Sequence, residues 1–275
     1  MKASMTELLE KATRGNYAIP AANFIDWHTA EAYVKVSEKL NLPLILAFAQ
    51  AHSEWLGLEK AAVIGKFFQE NSTVPIVLHL DHGQDTEFIK RAIALGFNSV
   101  MMDASLDSFE ENVRKTREII EVARPLGIAV EAEIGFVGAN ENLENHQVIE
   151  SVYTTVEEAE RFVEATQVDT LAISIGTAHG LYKGEPKINF ERLAEIREAI
   201  SIPLVLHGGS SSGDDNLHKC AKGGIAKINL FSDLIQAGYK GSKQEAIYDY
   251  PSLIQKVEQG IQAELEHYYG VFDTK

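Results

Sequence analysis

Cysteine is almost absent from this chain: Cys220 is the one cysteine among 275 residues. An internal disulfide is therefore excluded, and the composition suits a reducing compartment, so we expect a cytoplasmic protein. Cys220 lies in a short helical pattern on its inner face. We expect it to be a small buried core residue rather than a nucleophile.

Long apolar runs and an excess of basic residues are also missing. Nothing near eighteen consecutive apolar residues occurs, so no membrane-spanning helix is expected, and the early acidic residues and missing apolar run argue against a signal peptide. The chain carries 25 Lys and Arg against 40 Asp and Glu, a formal net charge of −15. Such a surface repels nucleic acid and anionic membranes. A phosphorylated small molecule can still bind through backbone N–H groups in a cleft.

What the sequence does have is a repeat of a short apolar run, a loop and an amphipathic helix. The runs are rich in Val, Ile and Leu without clean alternation, as in parallel strands covered on both faces. We expect residues 1–275 to form a single catalytic domain, an α/β fold of the (β/α)₈ TIM-barrel type. An extra N-terminal helix over Met5–Gly15 would cover its bottom. An open, doubly wound sheet is the main rival, but it would more often show six strands or fewer. The eight predicted strands are Tyr17–Asn23, Leu42–Ala49, Val74–Asp81, Ser99–Ala104, Ile128–Gly135, Thr170–Thr177, Pro203–Gly209 and Ala226–Leu230.

Three histidines end three of these strands. His82, His179 and His207 follow the third, sixth and seventh strands, so all three lie at the same end of the barrel, where barrel active sites form. Neutral imidazole suits zinc, and three protein ligands leave positions open for substrate. For any one of these histidines taken alone, the alternative to metal binding is a structural role at a strand end, with its hydrogen bonds made within the protein. The remaining histidines are expected to be structural, with His79 pointing into the barrel: His28, His52, His79, His146, His218 and His267.

Glycines give a second signal at the same end of the barrel. Gly180, Gly208 and Gly209 directly follow ligand histidines, and Ser210 follows the pair. Because glycine has no side chain, its backbone N–H group can approach an anion closely. The loops after strands seven and eight form the usual phosphate site of a barrel. A Gly-Gly-Ser sequence alone is more often a turn, so the placement of these residues favours phosphate binding.

Five segments resemble a known family. In chain order they are Leu80–Gly83, Glu131–Gly135, Ile175–Lys187, Leu206–Ser210 and Lys227–Asn229. Together they are similar to the class II, zinc-dependent ketose-bisphosphate aldolases, and most similar to the shorter bacterial fructose- and tagatose-bisphosphate aldolases. The resemblance implies a lyase of carbohydrate metabolism, such as glycolysis. It would cleave fructose or tagatose 1,6-bisphosphate reversibly to dihydroxyacetone phosphate and glyceraldehyde 3-phosphate.

The resemblance also implies roles for individual residues. Asp81 would take the proton of the C4 hydroxyl, and Glu141 would be the mobile-loop acid that moves the enediolate proton. Near Glu141 the chain departs from the family at Ala139 and Asn142. The implied metal ligands are His82, His179 and His207, with Asp103 and Glu133 holding the metal in an alternative position. The residues implied for the dihydroxyacetone-phosphate half are Gly180, Gly208, Gly209, Ser210, Asn229 and Ser232.

Family features beyond the residues are also implied. A monovalent cation, Na⁺ or K⁺, would lie near the phosphate, and the chain would form a homodimer or homotetramer. The apolar face of the last helix, which includes Ile261 and Leu265, could be the interface or could pack on the barrel. Ser232 stands where the family usually has threonine and keeps the hydroxyl group.

A larger departure follows the second strand. Relatives have small residues and hydroxyls there, whereas this chain has Phe48, Gln50 and His52. These side chains either reshape the pocket for the aldehyde half or pack against the neighbouring helix. In the first case the substrate would be a ketose 1-phosphate that yields an aldehyde other than glyceraldehyde 3-phosphate.

Three other classes of protein compete with this interpretation. A Schiff-base aldolase needs a lysine at the top of a strand, but Lys227 precedes Asn229 and so lies toward the other end. An amidohydrolase would usually show His-x-His after the first strand, and the chain has none. A non-catalytic sugar-phosphate-binding barrel would keep the ligand residues without turnover, and the intact set of Asp81 and the three histidines argues against it.

Overall fold

The computed structural model describes residues 1–135, 153–178, 186–245 and 247–275. Eight parallel strands hydrogen-bond in sequence order, and β8 pairs with β1 to close a barrel. The strands are β1 (Ile19–Asn23), β2 (Leu44–Ala49), β3 (Ile76–Gly83), β4 (Ser99–Met102), β5 (Ala129–Ile134), β6 (Thr170–Ile173), β7 (Leu204–Leu206) and β8 (Ile225–Leu230).

Helices follow the strands on the outside of the barrel. Two short 3₁₀ helices, Gln50–Glu54 and Arg124–Leu126, come directly after β2 and before β5. The α-helices are α1 (Met5–Gly15), α2 (Trp27–Leu40), α3 (Leu58–Asn71), α4 (Thr86–Leu95), α5 (Phe109–Ala123), α6 (Val156–Thr166), α7 (Phe190–Ala199), α8 (Asp214–Lys222), α9 (Ser232–Gly241) and α10 (Tyr250–Val271).

The architecture confirms the predicted barrel with its extra N-terminal helix, and the open sheet was the wrong alternative. Most strands are shorter than the apolar runs that predicted them. β7 ends at Leu206 rather than Gly209, because Gly208 adopts a positive φ of 67° that no continuing strand has. The polar residues expected on this strand therefore lie in the loop that follows it.

Local capping chemistry sets where helices begin. The Asp85 carboxylate accepts hydrogen bonds from the backbone N–H groups of Glu87 and Phe88, at 2.8 and 3.3 Å, which fixes the start of α4. Thr155 and Glu158 form the reciprocal capping box expected at the start of α6.

The bottom of the barrel interior is apolar. Met5 and Leu9 of α1 are buried against inward-facing residues near the starts of the strands, among them Ile19, Ile45 and Val77. α1 thus covers the N-terminal mouth of the barrel, as the sequence predicted.

The middle of the barrel interior is charged. Lys227 is fully buried, and its Nζ donates to both carboxylate oxygens of Glu131 at 2.7 and 2.8 Å. The same Nζ lies 3.3 Å from Nε2 of His79, whose Nδ1 is 2.9 Å from Oγ of Ser99. The prediction that His79 points into the barrel is confirmed. Burial, reinforced by Lys227, lowers the pKa of His79 to about 3, so this imidazole is neutral.

The outer face of the barrel packs against the helices. Ile261 and Leu265 of α10 are buried in this core, so this part of the apolar face of α10 packs within the chain. Cys220 is also fully buried there, as expected, and burial raises the pKa of its thiol to about 12. No helix within the described residues has the length and apolar character needed to cross a membrane.

Candidate active site

Polar side chains at the C-terminal ends of the strands line a cavity of about 530 Å³. Its size lies within the range of roughly 300–1,000 Å³ that is typical of small-molecule sites. The polar side chains in its wall are Asn23, His52, Asp81, His82, Gln84, Asp103, Ser105, Glu133, His207, Ser210, Asn229 and Ser232. Most of the described residues that the sequence nominated for the site therefore meet at one place.

A distortion in β3 brings Asp81 and His82 to the same cavity. Val77, His79 and Asp81 alternate inward, and His82 would face outward if the strand continued regularly. Instead the pairing with β4 shifts between Leu80 and Gly83, and His82 has a positive φ of 44°. Bulges of this kind re-aim side chains beside active sites, and a strained non-glycine residue fits the same interpretation.

The Asp81 carboxylate is held from two sides by amide groups. Asn23 Nδ2 donates to Oδ2 of Asp81, and Asn229 Nδ2 donates to Oδ1, each at 2.8 Å. Burial opposes ionisation, but the neighbouring His82 and His207 dominate and hold the pKa of Asp81 well below its usual range. Asp81 is thus a fixed carboxylate, and it does not hydrogen-bond His82 as an orienting group would.

Two overlapping groups of described side chains in the cavity wall could hold a metal ion. Asp81, His82 and His207 offer ligand atoms that lie within 4.8 Å of one another. His82, Asp103 and Glu133 form the second such group. The imidazole rings of His82 and His207 are 4.4 Å apart between centroids. Imidazole and carboxylate ligands of this kind suit a divalent transition metal such as zinc.

Each of these two histidines is oriented by a carboxylate. Nδ1 of His82 lies 2.8 Å from Oδ2 of Asp103, and Nε2 of His207 lies 3.0 Å from Oε1 of Glu131. Such carboxylate contacts fix the tautomer and the ring orientation of metal-binding histidines. A metal ion would therefore be taken by Nε2 of His82 and by Nδ1 of His207.

The electrostatics of the site favour a cation at this point. Burial lowers the pKa of His82, but Asp81, Asp103 and Glu133 outweigh it and raise the pKa to about 10. Burial also opposes ionisation of Asp103, yet its hydrogen bond from His82 lowers the pKa to about 2. A site that stabilises a proton on a buried imidazole so strongly also stabilises a metal ion that replaces the proton.

The loops after β7 and β8 are joined by their own hydrogen bonds. The N–H of Gly209 donates to the carbonyl oxygen of Asn229 at 3.1 Å, and a β-carbon on Gly209 would lie 2.8 Å from that oxygen. Oγ of Ser210 accepts from the N–H groups of Phe231 and Asp233 at 3.1 and 3.3 Å. Gly209 and Ser210 thus build the loop, and Gly208, Ser210 and Ser232 line the cavity itself.

The three unusual residues after β2 have different environments. Phe48 is fully buried, and its ring centroid lies 5.8 Å from that of Phe24, so it packs in the core. Gln50 accepts hydrogen bonds from the loop after β3. Of the three, only His52 lines the cavity; its ring stacks on Trp55 and contacts Phe231 at a tilt, at centroid distances of 5.1 and 4.4 Å.

Some functional features are not visible in the sequence, and some predicted residues lie outside the described residues. Sequence reasoning missed Asn23 as a partner of Asp81; its position as the last residue of β1 was the only signal. The contact of Glu131 with His207 was missed as well. The predicted residues Glu141, His179 and Gly180 lie outside the described residues.

Lys227 points into the middle of the barrel and is absent from the cavity wall, which disfavours a Schiff-base aldolase.

A closed barrel with an acidic, histidine-containing cavity at its C-terminal end defines the class as a barrel enzyme with a candidate metal site. Over residues 3–275 the chain matches the family described as fructose-bisphosphate aldolase, class II. The chain therefore belongs to the class II fructose-bisphosphate aldolases, which are zinc-dependent carbon–carbon lyases. This confirms the resemblance found in the sequence.

Relatives within the family differ in substrate. The chain is 39% identical over 230 residues to the fructose-bisphosphate aldolase of Geobacillus stearothermophilus, covering 82% of this chain and 79% of that one. It is 38% identical over 245 residues to the sulfofructosephosphate aldolase of Alkalicoccus urumqiensis, covering 89% and 85%. The YdjI aldolase of Escherichia coli K12 superposes with a TM-score of 0.90 at 33% identity, covering 100% of this chain and 98% of that structure.

Proposed function

We propose that this chain is a single-domain, zinc-dependent aldolase that cleaves a ketose phosphate reversibly to dihydroxyacetone phosphate and an aldehyde. The observation that carries the proposal is the position of Asp81. Its carboxylate is held ionised between two amides and lies within 4.8 Å of the ligand atoms of His82 and His207. A base beside a metal site is the arrangement that carbon–carbon cleavage next to a carbonyl group requires.

His82, His179 and His207 would hold the zinc ion, with Asp103 and Glu133 available for an alternative metal position. When bound, the zinc ion supplies a Lewis acid at the carbonyl group of the ketose. The described ligand residues fit this role because they combine two imidazoles with nearby carboxylates in a buried site. Glu131 and Asp103 keep the two rings oriented for binding.

Asp81 would act as the acid/base. During cleavage it accepts the proton of the C4 hydroxyl, and in the condensation direction it returns that proton to the aldehyde oxygen. The amides of Asn23 and Asn229 keep the carboxylate in one orientation, so the proton moves along a fixed path. Glu141 remains our proposed acid for the second proton transfer.

Gly208, Ser210, Asn229 and Ser232 would bind the dihydroxyacetone-phosphate half, together with Gly180 and Gly209. For Asn229 this role is shared, because its Nδ2 also donates to Asp81. A monovalent cation beside the phosphate and assembly into a homodimer or homotetramer stay predictions. Flame photometry of the dialysed enzyme and light scattering coupled to size exclusion would test them.

Family resemblance favours fructose or tagatose 1,6-bisphosphate as the substrate. A second candidate is a ketose 1-phosphate that releases a different aldehyde. The specific observation in its favour is the wall formed after β2, where the His52 side chain lines the cavity. Both candidates use the same chemistry at Asp81 and the metal site.

The test is retro-aldol turnover of the purified enzyme, zinc-loaded and EDTA-treated, with detection of dihydroxyacetone phosphate. The substrates are fructose and tagatose 1,6-bisphosphates and ketose 1-phosphates. We expect release that EDTA abolishes and zinc restores. Zinc binding without release from any substrate would refute the proposal and would favour a non-catalytic sugar-phosphate-binding barrel.

A further inference from the structure

The part of the cavity that would face the aldehyde is the wall made by Ala49, Ala51, His52, Gln84 and Phe231, which we call the β2 wall. It lies beside Asp81, whose charge acts on the His52 ring. Since Asp81 is the proposed base for the C4 hydroxyl, the carbons beyond C4 point toward this wall. The inference below therefore rests on the proposed function.

The backbone amides at the start of α4, next to the β2 wall, are already occupied. A helix N-terminus usually offers free N–H groups to a phosphate, and α4 begins here. However, Oε1 of Gln50 accepts from the N–H groups of Gln84 and Asp85 at 2.8 and 3.3 Å. The Asp85 carboxylate then takes the N–H groups of Glu87 and Phe88. The chain thus fills this anion site with its own side chains.

The charges around the cavity also disfavour a second phosphate. Among the described residues that line it there is no lysine or arginine, whereas Asp81, Asp103 and Glu133 contribute three carboxylates. A phosphate on the aldehyde half would therefore be repelled here without a compensating cation. Metal binding offsets part of this charge near His82, but it does so at the carbonyl end of the substrate rather than at the β2 wall.

His52 supplies hydrogen-bonding capacity instead of charge. Its side chain is 92% buried, given a relative exposure of 8%, and its buried Nδ1 has no hydrogen-bond partner among the described residues. Burial is the main influence on its pKa and lowers it; the charge of Asp81 opposes this effect, and that of His82 adds to it. A neutral imidazole can both donate and accept a hydrogen bond, which matches a hydroxyl group. Its ring contacts with Trp55 and Phe231 keep it in place.

From these observations we infer that the aldehyde released by this enzyme is uncharged and hydroxylated, and that His52 is the residue that recognises its hydroxyl group. The substrate class is accordingly a ketose 1-phosphate without a second phosphate. Phe231 and the methyl groups of Ala49 and Ala51 would contact the carbon chain. The sugar is held by its first phosphate and its carbonyl group, and it is selected at its distal end by hydrogen bonding.

The test measures kcat/KM for condensation of dihydroxyacetone phosphate with three aldehydes. These are D-glyceraldehyde, propanal, which lacks the hydroxyls, and glyceraldehyde 3-phosphate, which adds the charge. The zinc-loaded enzyme should prefer glyceraldehyde over each of the others by about tenfold or more. A preference for glyceraldehyde 3-phosphate would overturn the inference while leaving the aldolase activity intact. Failure to condense any aldehyde would refute the proposed function itself.

Two variants assign the effect to the β2 wall. His52→Phe keeps an aromatic ring but removes the hydrogen bond, and it should lower the glyceraldehyde-to-propanal ratio about tenfold. Gln50→Ala frees two N–H groups at the start of α4 and should raise the ratio of glyceraldehyde 3-phosphate to glyceraldehyde several-fold. The matched control is His28→Phe on α2, outside the cavity, which should leave both ratios unchanged. Unchanged ratios in both His52→Phe and Gln50→Ala would overturn the role of the wall.

Discussion

The buried ion pair between Lys227 and Glu131 provides the sharpest test of how the barrel interior supports the site. Both side chains are completely buried, and Nζ of Lys227 contacts the two carboxylate oxygens at 2.7 and 2.8 Å. Glu131 in turn contacts Nε2 of His207 at 3.0 Å. A change in the ion pair should therefore reach the metal site.

Replacing Lys227 by Met leaves the Glu131 carboxylate in a buried position without its cation. Loss of one partner of a buried pair typically costs about 3–5 kcal/mol, because the remaining charge is not solvated. For a protein of this size the corresponding fall in Tm is roughly 6–20 °C. The main relief available to Glu131 is to take up a proton, which weakens its hold on His207.

The assay compares urea and thermal unfolding with zinc affinity measured against a chromophoric chelator. We expect K227M to lose about 3–5 kcal/mol of stability. We also expect it to bind zinc about tenfold or more weakly, because perturbing a carboxylate that orients a metal ligand has an effect of this size. Adding Glu131→Gln should recover most of the stability, because two neutral groups replace a broken pair. The surface pair offers a control: Lys222→Met, which breaks contact with Asp273, should cost under about 1 kcal/mol. If K227M unfolds like this control, the reasoning is wrong.

Three further predictions follow from the site. Asp81→Asn should lower kcat by roughly 10²–10⁴-fold while zinc stoichiometry is kept, checked by steady-state kinetics and metal analysis; a near-normal kcat would exclude Asp81 as the base. His79 has a folded pKa of about 3, below its unfolded value, so its contribution is complete above about pH 6.5 and falls as pH drops toward 3. The free energy of unfolding, measured with urea in the presence of EDTA, should be about 2 kcal/mol lower at pH 5 than at pH 6.5 because of His79. The His79→Gln variant should not show this loss. Gly209→Ala should cost roughly 1–3 kcal/mol, since its β-carbon would meet the Asn229 carbonyl at 2.8 Å; unfolding indistinguishable from the unchanged protein would contradict this packing.

The fold was predictable because each strand–helix unit of the barrel carries its own local sequence pattern. The apolar runs, the Asp85 cap and the Thr155–Glu158 capping box are all local, and each is present in the structure. Strand ends were less predictable. The apolar run that predicted β7 continues past the point where Gly208 turns the backbone. The spacing of apolar residues does not reveal that a residue has a positive φ.

The candidate site was predictable only as a set of residues, not as a set of contacts. Strand order places Asp81, His82 and His207 at one mouth of a barrel, and the structure brings them together. Regular alternation would put Asp81 and His82 on opposite faces, however, and only the bulge in β3 unites them. Similarly, the pairing of Asn23 with Asp81 joins residues 58 positions apart across three strands, so no local pattern reveals it.

The residues after β2 show why the substrate is harder to predict than the chemistry. The metal site and Asp81 depend on a few side chains at fixed strand ends, whereas the aldehyde subsite depends on which side chain reaches the cavity. Phe48, Gln50 and His52 looked equivalent in sequence, yet one packs in the core, one occupies backbone amides and one lines the cavity. The Gln50 contact is the most informative of the three. In our proposal it removes a phosphate site by hydrogen bonding rather than by adding a negative charge, so composition alone gives no sign of it.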